Sequence, residues 1–361
     1  MILFGDVYRN RRVLVTGHTG FKGSWLAFWL NQLGAKVAGI SLDPRTKPNH
    51  WGLLEFECED CRLDIRQAEK VNKVVASFQP EIVFHLAAQP LVRSSYRDPL
   101  DTWSSNVMGT ANLLDVCRRV KSVKAIVVVT TDKVYSNQEW PWGYRENDRL
   151  GGHDPYSASK AACELLVDSY RNAFFSREGA LSLASARAGN VVGGGDWSED
   201  RLIPDLVKSI GQGKPLVIRS PKATRPWQHV LECLSGYLLL GQKLFQHGDG
   251  YGQSWNFGPP LEGNRSVEEI LTLLQAEWPD LKWRQTSEEQ PHEATLLYLD
   301  CAKARAGLGW QPVWGLEQAL KYTADWYRQH QEQNVVLTEC QLSNYINDSC
   351  SLGVNWIINE D

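Results

Sequence analysis

Val13 to Leu26, "VLVTGHTGFKGSWL", decides the fold. An apolar, β-branched run stops at Thr16, glycines follow at 17, 20 and 23, and a helical apolar spacing then runs to Gly34. A tight turn, a close backbone approach to a pyrophosphate and close helix packing each exclude a side chain, which accounts for the three glycines. The N-terminus of the following helix would face the phosphates. Glycines alone are a weak signal. Here a strand precedes them, a helix follows, and Asp43 closes a second strand twenty residues after Gly23. Asp43 would bond ribose hydroxyls and repel a 2′-phosphate, which points to NAD over NADP, whereas Arg45 nearby pulls the other way. Asp64 in "RLDIR" could contact an adenine, or be an ordinary exposed loop acid.

Outward from this turn, strand and helix patterns alternate. "KVAGISLD", "EIVFHLAA", "KAIVVVTT" and "LSLASARAGNVVG" read as strands. "VNKVVASFQP", "DTWSSNVMGTANLLDVCRRV" and "SASKAACELLVDSYRNAFF" read as helices, the second of them long and capped by Asp101. Such alternation builds a doubly wound parallel sheet. After Gly193 the elements shorten and Gly, Pro and Trp become frequent. The division expected is a cofactor domain over 1–188 with 229–260, and a smaller mixed α/β substrate domain over 189–228 and 261–361. The last thirty residues look poorly patterned.

The 361 residues, 43% of them hydrophobic, are ample for a core. A net charge of -4 argues against a nucleic-acid footprint. No run of eighteen apolar residues exists, so no membrane span is expected, and with no signal pattern at the start a cytoplasmic location follows by default. Of eight cysteines only Cys58 and Cys61 have metal-like spacing, and without a second pair no metal site is expected.

"VVVTTDKVY" (127–135) runs from a buried strand into Thr131, Asp132 and Lys133. In doubly wound sheets, ligands sit beyond such strand ends. One βα unit later, Tyr156 and Lys160 in "DPYSASKAACELL" stand four apart on one helix face. A tyrosine with a pKa of about 10 is a poor base at neutral pH. A nearby ammonium and a positive nicotinamide would lower that value, so the phenolate could take a proton from a sugar hydroxyl.

These motifs together resemble the extended short-chain dehydrogenase/reductase family: Gly-x-x-Gly-x-x-Gly at 17–23, "HLAA" at 85–88, "NVMGT" at 106–110, Thr131 and Tyr156/Lys160. "FHLAAQPLVRSSY", "WGYRENDRLGGHDPYSASK", "RAGNVVGGGDW" and "RPWQHVLECLSGY" are most similar to its nucleotide-sugar 4,6-dehydratases, those acting on CDP-glucose. The resemblance implies a Rossmann-type fold and NAD held by Gly17, His18, Thr19, Gly20, Phe21, Lys22, Gly23, Asp43, Asp64, Ile65, Leu86, Ala87, Ala88, Asn106, Tyr156 and Lys160. It implies C4 oxidation with Tyr156 as base and Thr131 on the C4 hydroxyl. Asp132 and Lys133 would then share the C5/C6 elimination, and hydride would return to C6. Related dTDP-glucose dehydratases carry Asp-Glu where this chain has Asp132-Lys133, so Lys133 is either the C5 base or a cation beside the enolate oxygen. A solvated turn is the plain alternative. Asn106 would help hold Lys160, or simply kink its helix, and His85 would support its strand end.

The sugar nucleotide would meet Arg93, Ser95 and Tyr96 at the sugar, and Asn190 and Arg225 at the pyrophosphate. Arg201, Arg219 and His229 are further candidates, and His292 and Glu293 could reach the base. The helices at 101–120 and 157–175 imply a homodimer through a four-helix interface. A nucleotide-sugar 4-epimerase or decarboxylase on the same scaffold, a 4,6-dehydratase of another nucleotide sugar, and a catalytically dead NAD-sensing regulator are the competing readings. The complete Tyr/Lys pair speaks against the last.

Overall fold

A computed structural model describes residues 1–175, 181–287 and 296–358. A short strand β1 (Ile2–Leu3) leads to β2 (Arg12–Thr16), helix α1 (Phe21–Gln32), β3 (Lys36–Ser41) and β4 (Glu59–Arg62). Helix α2 (Ala68–Phe78), β5 (Ile82–His85), α3 (Val92–Arg97), α4 (Pro99–Trp103) and α5 (Gly109–Cys117) follow, then β6 (Ala125–Val129), α6 (Pro155–Phe174) and β7 (Ser182–Ala188). The chain continues through β8 (Asn190–Val192), α7 (Leu202–Gly211), β9 (Leu216–Ile218), β10 (Thr224–His229), α8 (Val230–His247) and β11 (Ser254–Phe257).

Seven parallel strands form the central sheet in the order β11-β7-β6-β5-β2-β3-β4. The order reverses at β2, which places the glycine turn at the switch point where such sheets bind ligands. Because strand side chains alternate between faces, the apolar runs feed two cores. Val13, Val15, Phe84 and Val127 pack on one face with α1 and α8. Leu14, Ile40, Val83, Ile126 and Val128 pack on the other with Val71 and Val75 of α2, Leu113 and Leu114 of α5, and Val167 of α6.

The expected long helix over 101–120 is instead α4, a π turn over Ser104–Met108, and α5. The π turn is centred on buried Asn106, and such single turns mark places where a side chain is re-aimed.

Beyond β11 come β12 (Asn264–Ser266), α9 (Val267–Glu277), β13 (Trp283–Gln285), α10 (Leu316–Gln333), α11 (Thr338–Ser351) and β14 (Ile357–Ile358). Strands β12, β10 and β8 make a three-stranded mixed sheet, and β13 pairs with β9. Residues 230–257 return to the central sheet, with α8 packed under β6 and β7 and β11 paired to β7. The tail that looked unpatterned is helical and closes on the chain's start, β14 pairing with β1. Its few apolar residues suffice because they are large and meet distant aromatics. Trp356 stacks on Phe4 at 4.7 Å and Tyr345 lies edge-on to Trp29 at 5.8 Å.

Candidate active site

At the end of β2 the chain turns back on itself with no room to spare. A Cβ at Gly23 would lie 2.1 Å from the Gly17 carbonyl oxygen, and one at Gly17 would lie 2.7 Å from the Ala87 nitrogen. Gly17 also has φ +76°, in the region that favours glycine. Gly20 caps α1 without any side-chain bond to the helix's first amides, so those donors and Lys22 remain at the helix mouth. Asp43 stands just past β3, largely exposed, 3.9 Å from Arg62. Asp64 follows β4 and is gripped by Arg66, which pulls its carboxyl below the usual range. Ile65 is buried against Gly109, where a Cβ would come within 2.5 Å. A cradle that side chains would fill, free helix-mouth amides and a carboxylate at the second strand end fit a dinucleotide.

Two residues of the expected cradle face elsewhere. His18 is buried under Gly39 with Nε2 bonded to Asp60 at 2.9 Å, so only its backbone faces the turn. Thr19 bonds Ser41 at 2.7 Å and the Leu42 carbonyl, tying the turn to β3.

Thr131, Asp132 and Lys133 leave the end of β6 as a single 3-10 turn. The Thr131 hydroxyl donates to Asp132 Oδ1 at 3.0 Å, while Asp132 Oδ2 is buried with no hydrogen-bond partner among the described residues. Burial raises the Asp132 carboxyl above the usual range, against the opposing pull of Lys133, Thr131, Arg225 and Lys22. The missing side chain of Gly189 leaves it space, since a Cβ there would sit 3.0 Å from Oδ2 and 2.4 Å from Pro226.

Tyr156 and Lys160 project from α6, whose start is capped by Asp154. Both are buried. Burial pushes the Tyr156 phenol up to about 12, against the pull of Thr131 and Arg201. Lys160 donates to the Val129 carbonyl at 3.0 Å, so its ammonium is anchored to the strand end and not to the phenol. Burial, then Lys22, lowers Lys160. Asn106 bonds the backbone of Gln89 at 2.7 and 3.2 Å and the Ser159 hydroxyl at 2.9 Å. It therefore joins the loop holding Leu86, Ala87 and Ala88 to the helix holding Lys160. His85 bridges Thr16 and Thr110 at 2.7 and 2.9 Å. Burial and then Lys160 lower it to about 3, so it is a neutral strut.

On the sugar side, Arg93 pairs with Asp200 at 3.0 Å and Arg97 with Glu199 at 3.2 Å, linking α3 to the segment before α7. Arg201 pairs with buried Asp196 at 2.9 Å and acts electrostatically on Tyr156. Arg225 is buried and acts on Asp132. Asn190 starts β8 opposite Trp227, and Arg219 lies near Asp205. Tyr96 is exposed. Ser95 is a correction: it is fully buried and donates to the Val92 carbonyl at 2.6 Å, so it offers no surface to a sugar. His229 is another, for it caps α8 through Leu231, edge-on to Trp314. His292 and Glu293 lie outside the described residues. Gly189, Asp196 and the buried Glu164–Arg187 pair were not singled out by sequence. Glu164, one turn after Lys160, was the nearest available clue.

A glycine-built cradle at a switch point, with a buried Tyr-x-x-x-Lys helix and a buried acid at the adjoining strand end, defines a dinucleotide-dependent α/β scaffold of the short-chain dehydrogenase/reductase type. The family described as GDP-mannose 4,6 dehydratase matches residues 14–323, and the chain belongs to it. A CDP-glucose 4,6-dehydratase from Salmonella typhimurium is 46% identical over 350 residues, 94% of this chain and 98% of that protein. The UDP-glucose 4-epimerase of Thermus thermophilus, solved with NAD, superposes with a TM-score of 0.77 at 25% identity, covering 88% of this chain and 99% of that one. A dTDP-glucose 4,6-dehydratase from Streptomyces venezuelae, also solved with NAD, shares the fold with a TM-score of 0.75 at 24% identity, over 89% and 98%.

Proposed function

We propose that the protein is a hydro-lyase that converts CDP-glucose to CDP-4-dehydro-6-deoxyglucose and water, using NAD catalytically. The observation that carries this reading is Asp132: a carboxyl buried beside Thr131 and Tyr156, one oxygen unpartnered, with a cation as its sequence neighbour. An epimerase needs no such acid. NAD, when bound, would supply a hydride acceptor for C4, the return of that hydride to C6, and a positive charge.

Tyr156, whose phenol burial raises and Thr131 and Arg201 pull back toward ionisation, takes the proton of the C4 hydroxyl. The resulting ketone acidifies the C5 hydrogen. Lys133 either takes the C5 proton and gives it back to C5 as hydride adds at C6, or stands as a cation beside the enolate oxygen while solvent takes and returns that proton. Asp132, whose carboxyl burial raises above the usual range, gives its proton to the departing C6 hydroxyl, which leaves as water. Arg201 and Arg225 supply cations for the diphosphate. Gly17 to Gly23 and the mouth of α1 receive the cofactor pyrophosphate, and Asp43 its ribose.

A homodimer fits the same reading. Trp103, Met108, Leu165 and Phe174, on the α4–α5 and α6 helices, are exposed apolar side chains that a partner would cover. No helix among the described residues is long and apolar enough to cross a membrane.

Mass spectrometry after separate incubation with CDP-, dTDP-, UDP- and GDP-glucose tests the reading. Loss of one water from CDP-glucose alone, without net cofactor reduction, is expected. Water loss from a different nucleotide sugar overturns the base assignment, and a C4 epimer overturns the elimination.

A further inference from the structure

Glu164 and Arg187 form an ion pair at 2.8 Å whose side chains are 1% and 2% exposed. No step above uses it. Burying two charges costs several kcal/mol per ion, and a well-packed apolar pair often serves stability as well, so stability alone is a weak reason for it. What the pair touches is more telling.

Glu164 lies on α6 one turn beyond Lys160, on the same side of the helix. One carboxylate oxygen accepts the hydroxyl of Thr130, the residue before Thr131. The other accepts Ser185 at 2.7 Å, Ser254 at 3.1 Å and Arg187. Burial opposes its ionisation, but Arg187 and these hydroxyls outweigh burial and leave the carboxyl below its usual range. Arg187 then reaches past the turn, donating to the Tyr135 hydroxyl at 2.9 Å and the Glu146 carbonyl at 3.0 Å. Tyr135 passes the connection on, donating to Asn256 at 2.7 Å. Thr130 and Tyr135 bracket Thr131, Asp132 and Lys133 on either side. The helix carrying Tyr156 and Lys160 is thereby fastened at two successive residues where β6 ends, Lys160 to Val129 and Glu164 to Thr130 just beyond it.

We infer that the Glu164–Arg187 pair is a positioning device: it fixes the Thr131–Lys133 turn in register with Tyr156 and Lys160, through Thr130 on one side and Tyr135 on the other. Its consequence for turnover rests on the proposed roles of Asp132 and Lys133. Its geometric content does not.

Tyr135→Phe is the decisive variant. It removes the hydroxyl that Arg187 holds while leaving both charges paired and the ring stacked on Tyr144. Glu164→Gln is the stronger perturbation, since it leaves the buried Arg187 charge without its partner, and Tyr135→Phe therefore decides. Hydrogen exchange of the ligand-free protein is expected to quicken by about 10-fold or more at amides 130–135, with amides elsewhere unchanged. In the same variant kcat for water loss is expected to fall by about 100-fold, the effect of roughly 1 Å of misplacement, with KM held within about 2-fold. A folded Tyr135→Phe protein with unchanged exchange at 130–135 overturns the inference, whatever its turnover. Faster exchange with unchanged kcat overturns the catalytic consequence. If the wild-type protein removes water from none of the four sugar nucleotides, the proposed function falls, and the exchange result still decides the positioning.

Discussion

The turns after β2 and β6 end strands of the same sheet, separated only by β5, and they are built in opposite ways. The first is made by leaving side chains out. Its glycines bring the Gly17 carbonyl and the Ala87 amide so close that a single methyl group has no place. The second is made by putting side chains in and drying them: Asp132 is buried with one oxygen unpartnered, between Thr131 and the space left by Gly189. A cradle for phosphates needs donors and room, which backbone supplies. A proton donor needs a carboxyl kept neutral, which only burial among chosen neighbours supplies.

The largest effect is expected at the first turn. Gly23→Ala places a Cβ on the Gly17 carbonyl, and overpacking against backbone should cost about 3 kcal/mol or more, with loss of NAD binding. Thermal unfolding together with cofactor titration checks this, and a well-folded variant that binds NAD normally would break the contrast. At the second turn and on α6 beside it, substitutions should spare the fold and remove chemistry. Tyr156→Phe should cut kcat by about 10³-fold to 10⁴-fold, within the range of acid–base catalysis, while retaining NAD affinity. Asp132→Asn should cut kcat for water loss by about 100-fold and leave KM little changed.

Wild-type turnover should also fall as pH rises through the Asp132 pKa, because the acid form is the active one and burial places that pKa above the ordinary carboxylate range. Asp132→Asn should lack this limb of the profile.

The smallest effect is expected far from both turns, at Glu232 of α8. Its carboxylate accepts the Trp314 and Val313 amides at 2.7 and 3.0 Å and the Tyr345 hydroxyl at 2.9 Å. Burial, against those donors, raises it to about 7. The folded state therefore holds this proton more tightly than the unfolded chain. Stability from this group is fully present below about pH 4.5 and is lost as pH rises through about 7. Unfolding midpoints between pH 5 and 8 should show this slope in the wild type and a flatter one in Glu232→Gln.

Much of the first turn is legible without coordinates. Three glycines between a β-branched run and a helical spacing have few physical explanations, and Asp43 follows from strand length. Tyr156 and Lys160 are legible for a similar reason, since a spacing of four on a capped helix fixes one face. The second turn is legible only as a question. Nothing within "TTDKVY" says that Asp132 is dry, because the dryness comes from Gly189, Pro226 and Arg225. Ser95 and His229 carry suitable chemistry in a suitable place along the chain, yet one turns into its own helix and the other caps α8.

By itself, then, the sequence determined the parallel sheet, the backbone-built cradle and the spacing of the tyrosine and lysine, because periodicity, turn sterics and helix geometry act over a few neighbouring residues. Tertiary structure alone decided which carboxyl is buried and raised above its usual range, and which buried ion pair ties α6 to the turn after β6. It also decided that a tail of scattered aromatics closes on Phe4 and Trp29. Desolvation and aromatic packing are set by groups far apart along the chain, and no local pattern records them.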